Sequence, residues 1–152
     1  MNRIGSSLLK TTRSTSGTRR RSLHLQIGTS LKEKRVFTRD QVREFAEISH
    51  DMNPIHCDVS FANKMNFADC VVHGSLLNGY VAGLVGSRCP GAVLFKQQLQ
   101  FHKPLLANQC VEASLVVNSI KRSFVFCTIK CEVLHENGNN EVVMSGTAVI
   151  KQ

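Results

Sequence analysis

Residues 75–86 read Ser-Leu-Leu-Asn-Gly-Tyr-Val-Ala-Gly-Leu-Val-Gly, a run that contains no charged side chain. Its large apolar residues recur at helical spacing, and its small residues, mostly glycine, fall on the other side. Because glycine weakens an isolated helix, a helix of this composition needs tertiary packing to be stable. The run therefore predicts one long helix that is buried on most sides.

The chain beyond this helix changes to a period of two, which is typical of β-strands. Alternating segments begin near Val93, Val111 and Val125, and residues 142–150 are apolar on both faces, as in an inner strand. An Asn-Gly turn within residues 137–140 predicts a hairpin before that last segment. One helix and four long antiparallel strands predict an α+β fold in which the helix covers the apolar face of the sheet.

Residues 51–56, upstream of the helix, read Asp-Met-Asn-Pro-Ile-His. Pro54 fixes its own φ and keeps Asn53 extended, so we expect a stiff, bent connector rather than a helix. Such a connector could direct the carboxylate of Asp51 and the imidazole of His56 at one point. Two groups that titrate in different pH ranges are the usual equipment for acid–base catalysis.

Two short helices are predicted on either side of this connector. Thr38 is a candidate N-cap of the first helix, and the apolar residues that follow it recur at helical spacing. Asp58 is a candidate N-cap of the second helix. We expect its carboxylate to serve as a cap and not in chemistry.

The positive charge of the chain is concentrated at its N-terminus. Six of the 19 Lys and Arg residues lie in residues 1–30, which contain no acid, and the rest of the chain has 13 basic and 11 acidic side chains. A nearly neutral body predicts no nucleic-acid groove. The Arg-, Ser- and Thr-rich start is typical of a mitochondrial transit peptide. We therefore expect a leader at 1–28, one domain at 29–152, a mitochondrial matrix location and no membrane insertion.

The six cysteines, at positions 57, 70, 89, 110, 127 and 131, show neither zinc-site nor disulfide-framework spacing. We expect them to be reduced and mostly buried, as small apolar side chains. His56, Cys57 and His73 are conceivable metal ligands, but the residues that usually support such ligands are missing from the pattern. The sequence therefore predicts no metal site.

The pattern Asp51-x-Asn53-Pro54-Ile55-His56-x-Asp58, followed by His73-Gly74, resembles the signature of the R-specific enoyl-thioester hydratases and dehydratases. These proteins are the MaoC-like branch of the hotdog-fold proteins. The resemblance covers about residues 36–150. It implies a hotdog fold, in which a curved antiparallel sheet wraps around a long central helix, and it implies that two such units pair as a homodimer.

The resemblance also implies a reaction. It would interconvert (3R)-3-hydroxyacyl and trans-2-enoyl thioesters on acyl carrier protein or coenzyme A, in mitochondrial type II fatty acid synthesis, without a metal or redox cofactor. Asp51 and His56 would be the catalytic pair, and the N–H of Gly74 would bind the thioester oxygen. Asn53 and Pro54 would support the loop. Further candidates for contact with the thioester or the acyl chain, besides structural roles, are His73, Asn78 and Tyr80.

Two positions depart from the pattern of the family. His50 stands where glycine is usual. Ala82 stands about where relatives carry a serine that hydrogen-bonds the catalytic aspartate, and Asn78 is a polar alternative nearby. The resemblance therefore leaves open which group holds Asp51.

Two other classes of function stay open on the sequence. A hotdog thioesterase would hydrolyse the thioester and release a free thiol. A non-catalytic acyl-thioester-binding or RNA-associated accessory protein would bind its ligand without turnover. The catalytic pair and the nearly neutral body favour the hydratase.

Overall fold

The computed structural model describes residues 24–152, so most of the predicted leader lies outside the described residues. In chain order the elements are β1 (Ser30–Val36), α1 (Arg39–Ser49), α2 (Pro54–Cys57), α3 (Val59–Lys64), α4 (Gly74–Arg88), β2 (Val93–Phe101), β3 (Cys110–Lys121), β4 (Phe124–Val133) and β5 (Glu141–Lys151). Among the described residues, none of the helices has the length and apolar character needed to cross a membrane.

All five strands form one antiparallel sheet in the order β1-β3-β4-β5-β2. Helix α4 packs on this sheet, and the core lies between them. From the helix the core takes the large apolar side chains Leu77, Val81, Leu84 and Val85. The predicted α+β architecture, with one long helix against an antiparallel sheet, is confirmed. Strand β5 is an inner strand, as predicted from its two apolar faces.

The expectation of four strands is wrong, because β1 is a fifth. Four of the seven residues of β1 are charged, and only Leu31 is buried. An edge strand with one buried side chain lacks the alternation that identified the other four. Its pairing with β3, from Ser30 opposite Val116 to Val36 opposite Cys110, is a tertiary contact.

The prediction that α4 is buried on most sides is wrong, because its glycine face is exposed. Gly79, Gly83 and Gly86 are exposed, and a β-carbon at any of them would have no neighbouring atom within 4 Å. The sheet covers one side of the helix, and the described residues supply no second layer over the other. The helix is therefore buried on one face only within a single chain.

The connector before α4 contains a helical turn, so the prediction that it is not helical is wrong. Pro54 stands at the first position of α2, where a missing N–H is tolerated, and the side chain of Asn53 accepts a hydrogen bond from the N–H of Ile55 (3.2 Å). The fixed φ of proline suits a helix start as well as an extended segment. The turn places His56 three residues after the cap residue, Asn53.

The predicted caps of the flanking helices are confirmed. Thr38 accepts a hydrogen bond from the N–H of Gln41 in a full capping box, and Asp58 accepts from the N–H groups of Ser60 and Phe61. All six cysteines are free, and four of them are buried, as expected. These local predictions depended on residue type and spacing alone.

Candidate active site

Asp51 and His56 lie on either side of the Asn53-Pro54 turn and face each other. The Nε2 of His56 is 3.7 Å from the Oδ2 of Asp51, which is too long for a direct hydrogen bond. The Asp51 side chain is 55% exposed, whereas that of His56 is 12% exposed. Two such groups at this separation can both reach one oxygen of a bound molecule.

A backbone carbonyl sets the tautomer of His56. The Nδ1 of His56 is 2.6 Å from the carbonyl oxygen of Val71. Because a carbonyl only accepts, Nδ1 must carry the proton, and the neutral ring then has its lone pair on Nε2, towards Asp51. The N–H of Val71 in turn donates to the carbonyl of Ile55 (3.0 Å), so the two segments hold each other. Sequence reasoning missed Val71, because a backbone carbonyl has no residue-type signal.

His73 contacts both members of the pair. Its Nε2 donates to the backbone carbonyl of Asp51 (3.2 Å), and its ring stacks on the ring of His56, with centroids 3.7 Å apart and planes at 23°. The Phe45 ring packs edge-on against the ring of His73, with centroids 5.1 Å apart. His73 is 2% exposed, and this burial lowers its pKa, so the ring is neutral at physiological pH.

Asp51 is held without a helix serine. Its Oδ1 accepts a hydrogen bond from the N–H of Asn53 (3.4 Å), and its own N–H donates to the Oγ of Ser49 (3.3 Å). Asn78 does not hydrogen-bond Asp51, and its Oδ1 is buried without a partner among the described residues. Asn53 therefore supports the loop twice, through its side chain at Ile55 and its N–H at Asp51.

The start of α4 offers free N–H donors. His73 is the N-cap residue, but its side chain makes no capping hydrogen bond. In the described part of the chain, the N–H groups of Gly74 and Ser75 donate to no other group. The positive end of the helix dipole adds to their attraction for negative charge. The arrangement can stabilise an oxyanion.

His56 of the pair and Gly74 at the helix start line the same cleft, which has a volume of about 430 Å³. Its lining includes His56, Gly74, Leu77, Phe101 and Lys103. The structure thus brings together the candidates Asp51, His56, Gly74 and His73.

Tyr80 lies apart from this cleft. It lines a second cavity of about 370 Å³ between α4 and β1, with its ring edge-on to Phe37 at 5.7 Å. Its hydroxyl is buried with no partner among the described residues, and burial raises the pKa of Tyr80 to about 12. Tyr80 is therefore not placed to touch a thioester bound at Gly74.

The ligand atoms of Asp51, His56 and His73 lie within 4.8 Å of one another, which is close enough for a metal ion. A metal ion lies in the plane of each imidazole that binds it. Two nearly parallel rings that are stacked at 3.7 Å cannot both have one ion in their planes. The geometry thus suits a stacked pair and not a pair of ligands.

The family profile described as "MaoC like domain" matches residues 22–139. The chain belongs to the MaoC-like domain family. This confirms the resemblance that the Asp51–Asp58 motif carries.

Two curated relatives cover most of this MaoC-like chain. It is 33% identical over 128 residues to the mitochondrial 3-hydroxyacyl-[acyl-carrier-protein] dehydratase of Arabidopsis thaliana, covering 82% of this chain and 75% of the relative. It is 30% identical over 129 residues to the (R)-specific enoyl-CoA hydratase of Aeromonas caviae, covering 84% and 95%. Both relatives are named for adding or removing water at an acyl thioester.

A solved structure confirms the hotdog fold of this MaoC-like domain. The (R)-hydratase from A. caviae superposes with a TM-score of 0.73 at 29% identity, covering 84% of this chain and 96% of that one. The helix α4 and the five-stranded sheet are the elements that the hotdog architecture requires.

Proposed function

We propose that this protein is a hydro-lyase that interconverts (3R)-3-hydroxyacyl thioesters and trans-2-enoyl thioesters. The observation that carries the proposal is one arrangement. The Nε2 of His56 faces the carboxylate of Asp51 at 3.7 Å, beside a cleft that also receives the free N–H of Gly74. A proton-transfer pair and an oxyanion site in one place are what this reaction needs.

In hydration, the pair removes a proton from water, and the water oxygen bonds to C3. The C2–C3 π electrons move towards the thioester carbonyl, whose oxygen accepts a hydrogen bond from the N–H of Gly74. C2 then takes a proton from the pair, and the carbonyl re-forms. Dehydration is the reverse, in which the pair removes a C2 proton and protonates the departing C3 hydroxyl.

The chemistry that we propose needs no metal or redox cofactor. The thioester carbonyl itself acidifies the C2 proton once its oxygen can accept charge, and no electrons enter or leave the substrate. Losing one oxyanion donor typically costs about 3–4 kcal/mol of transition-state stabilisation. The N–H of Gly74 would therefore account for a large share of the rate.

We propose acyl carrier protein as the carrier and the mitochondrial matrix as the location, in type II fatty acid synthesis. The support is twofold. The A. thaliana relative is named as a mitochondrial acyl-carrier-protein enzyme, and residues 1–30 of this chain are basic without an acid. Coenzyme A thioesters would enter the same cleft, since the reacting atoms are identical on both carriers.

We also propose that the active form is a homodimer. Strand β2 is an edge of the sheet, and no strand of the described residues pairs with its outer side. It exposes Val93, Phe95 and Phe101 by 57%, 64% and 55%. An exposed apolar edge strand is suited to pairing with a second strand. Measurement of the solution mass by light scattering tests this, and a monomer that is fully active would overturn it.

The experiment that tests the proposed function follows enoyl absorbance with trans-2-butenoyl thioesters of coenzyme A and of acyl carrier protein. The wild type should hydrate both. Asp51→Asn and His56→Gln should each lower kcat by at least about 100-fold, the usual weight of a general acid or base. Asp58→Asn is the matched control, since asparagine also caps a helix, and it should keep its activity.

Two outcomes would replace the proposal. Release of free thiol with no hydrated thioester product would identify a thioesterase. Ligand binding with no turnover in the wild type would identify an accessory binding protein. Full activity in Asp51→Asn would reject the site while keeping the enzyme class.

A further inference from the structure

We propose that His73 is a positioning residue that holds both catalytic groups, through a hydrogen bond to the backbone of Asp51 and a stack on the ring of His56. This rests on the proposed hydratase function. It deepens that function by naming a residue that holds Asp51 in a chain where Ala82 offers no hydroxyl.

The hydrogen bond from His73 holds the backbone of Asp51 and leaves its carboxylate free. The Nε2 of His73 lies 3.2 Å from the carbonyl oxygen of Asp51, and His73 is the N-cap residue of α4. The bond therefore ties the loop that carries the carboxylate to the helix start that carries the Gly74 N–H. The carboxylate itself is 55% exposed, so it has little packing to hold it. Ala82 has no hydroxyl for this task.

The stack acts on His56. The bond from Nδ1 to the carbonyl of Val71 fixes one point of the His56 ring but leaves rotation about that bond. The ring of His73 lies 3.7 Å away at 23°, so it fixes the plane as well. Together the two contacts determine where the lone pair on Nε2 points. An error of about 1 Å in such a placement can lower a rate about 100-fold.

The hydrogen-bond inventory of His73 fits this role. Because the carbonyl of Asp51 only accepts, the proton of the neutral ring is on Nε2, and Nδ1 is an acceptor. That Nδ1 is buried with no partner among the described residues. A side chain that only filled space here would avoid a buried unpaired acceptor, which costs about 1–3 kcal/mol. The bond to Asp51 is the contact that explains an imidazole at this position.

The neutral state of His73 also matters for the stack. His56 must accept a proton in each turnover, and a charged neighbour 3.7 Å away would oppose that. The groups that face His73 are Asp51 and His56 on the loop and the Phe45 ring from α1. Burial lowers the pKa of His73, which keeps the stacked partner uncharged while His56 changes its charge.

Two substitutions separate the two contacts. His73→Phe keeps a ring that can stack on His56 but cannot donate to Asp51. His73→Gln keeps a donor of similar reach but loses the stack. We expect each to lower kcat by about 10- to 100-fold, with KM changed less than about 3-fold, since neither contact touches the substrate. The control is Val125→Ala, a fully buried β4 residue that lowers stability without contacting the pair.

All variants are assayed well below the unfolding temperature of the least stable one. A fall in kcat for His73→Phe and His73→Gln, but not for Val125→Ala, supports the positioning role. Wild-type kcat in either His73 variant, or an equal fall in Val125→Ala, overturns it. Rising KM with unchanged kcat would also overturn it, because that would make His73 a substrate contact.

A second measurement works even if the wild type has no hydratase activity, which would reject the proposed function by itself. Nitrogen-15 NMR of the imidazoles reports which nitrogen carries the proton. We expect His73 neutral and protonated at Nε2, and His56 protonated at Nδ1. In His73→Gln, the His56 ring should keep its Nδ1-protonated tautomer, because Val71 sets it, but its signals should shift and broaden, because the stacked ring that fixes its plane is gone. Unchanged positions and line widths of the His56 signals in that variant would overturn the proposal.

Discussion

The ring of Phe101 lies where a side chain at Gly74 would project. A β-carbon at residue 74 would be 2.8 Å from the Cε1 of Phe101 and 2.9 Å from its Cζ, closer than carbon atoms normally approach. Strand β2 thus ends over the first turn of α4, and the glycine is the residue type that permits it. The same contact holds one wall of the cleft at the proposed oxyanion site.

Gly74→Ala should therefore lower both stability and activity. Inserting a methyl group into this contact forces the Phe101 ring, which is 55% exposed, or the helix start to move, so we expect a cost at the low end of the overpacking range, about 1 kcal/mol. The shifted N–H should lower kcat about 10-fold or more. Urea unfolding and the enoyl absorbance assay measure the two effects.

Gly79→Ala is the matched control on the same helix. No atom lies within 4 Å of a β-carbon at residue 79, and alanine is the better helix former by about 0.5–1 kcal/mol. We expect this variant to be at least as stable as the wild type. The double variant Gly74→Ala/Phe101→Leu should recover part of the stability. A Gly74→Ala variant with wild-type stability would contradict the steric reading.

Replacing His50 with glycine should stabilise the protein. It is the C-cap of α1 with φ 59° and ψ 17°, a left-handed conformation that costs an L-residue about 1–2 kcal/mol. Glycine avoids this strain but has more freedom in the unfolded chain, so we expect a net gain of up to about 1 kcal/mol for His50→Gly. Thermal unfolding measures it, and His50→Ala, which keeps the strain, should show no gain.

Asp69 should make stability depend on pH in the acid range. Its carboxylate accepts hydrogen bonds from Arg39 (2.7 and 3.1 Å), Asn108 and the N–H of Cys70, and the Arg39 bond lowers the pKa of Asp69 below its usual value. As the pH falls, the Asp69 carboxylate is therefore protonated in the unfolded chain before it is protonated in the folded chain. The contribution is complete above about pH 4 and is lost as pH falls through the folded pKa.

The variant that tests this is Asp69→Asn. Urea unfolding between pH 6 and pH 3 should show a smaller loss of stability for the variant than for the wild type. Parallel curves for wild type and Asp69→Asn would contradict the assignment.

The N-terminal boundary of the folded domain should lie before Leu25. This residue is 2% exposed, and its N–H and carbonyl both bond to the side chain of Gln152 (3.3 and 3.2 Å). A chain that starts at residue 30 should be less stable than one that starts at residue 24, by about 2–4 kcal/mol. Leu25→Ala in the longer chain should show most of that loss. Equal stability of the two truncated chains would place the boundary later.

Much of the fold and of the proposed site could be predicted from residue type and spacing. The period of two located four strands, and the uncharged run located α4. Thr38 and Asp58 were identifiable as caps because their side chains act within three residues along the chain. The Asp51–Asp58 motif led to the family and to the pair that we propose as catalytic. Each of these signals depends on near neighbours in sequence, which a single chain records directly.

Other features came only from contacts between distant segments. Strand β1 is identified by its pairing with β3, which places Lys32 opposite Ser114, 82 residues away. Tyr80 and Gly74 lie on one helix, but the sheet and β1 place them on different cavities. The tautomer of His56 depends on a carbonyl 15 residues later, at Val71.

The sequence by itself thus determined the family, the helix, most of the sheet and the identity of the proposed catalytic pair. Only the tertiary structure showed that Asp51 is held by the hydroxyl of Ser49, the N–H of Asn53 and the ring nitrogen of His73, which is 22 residues further on. The physical reason is that hydrogen bonds to backbone atoms and ring stacking depend on position and orientation. No pattern of residue types specifies either one.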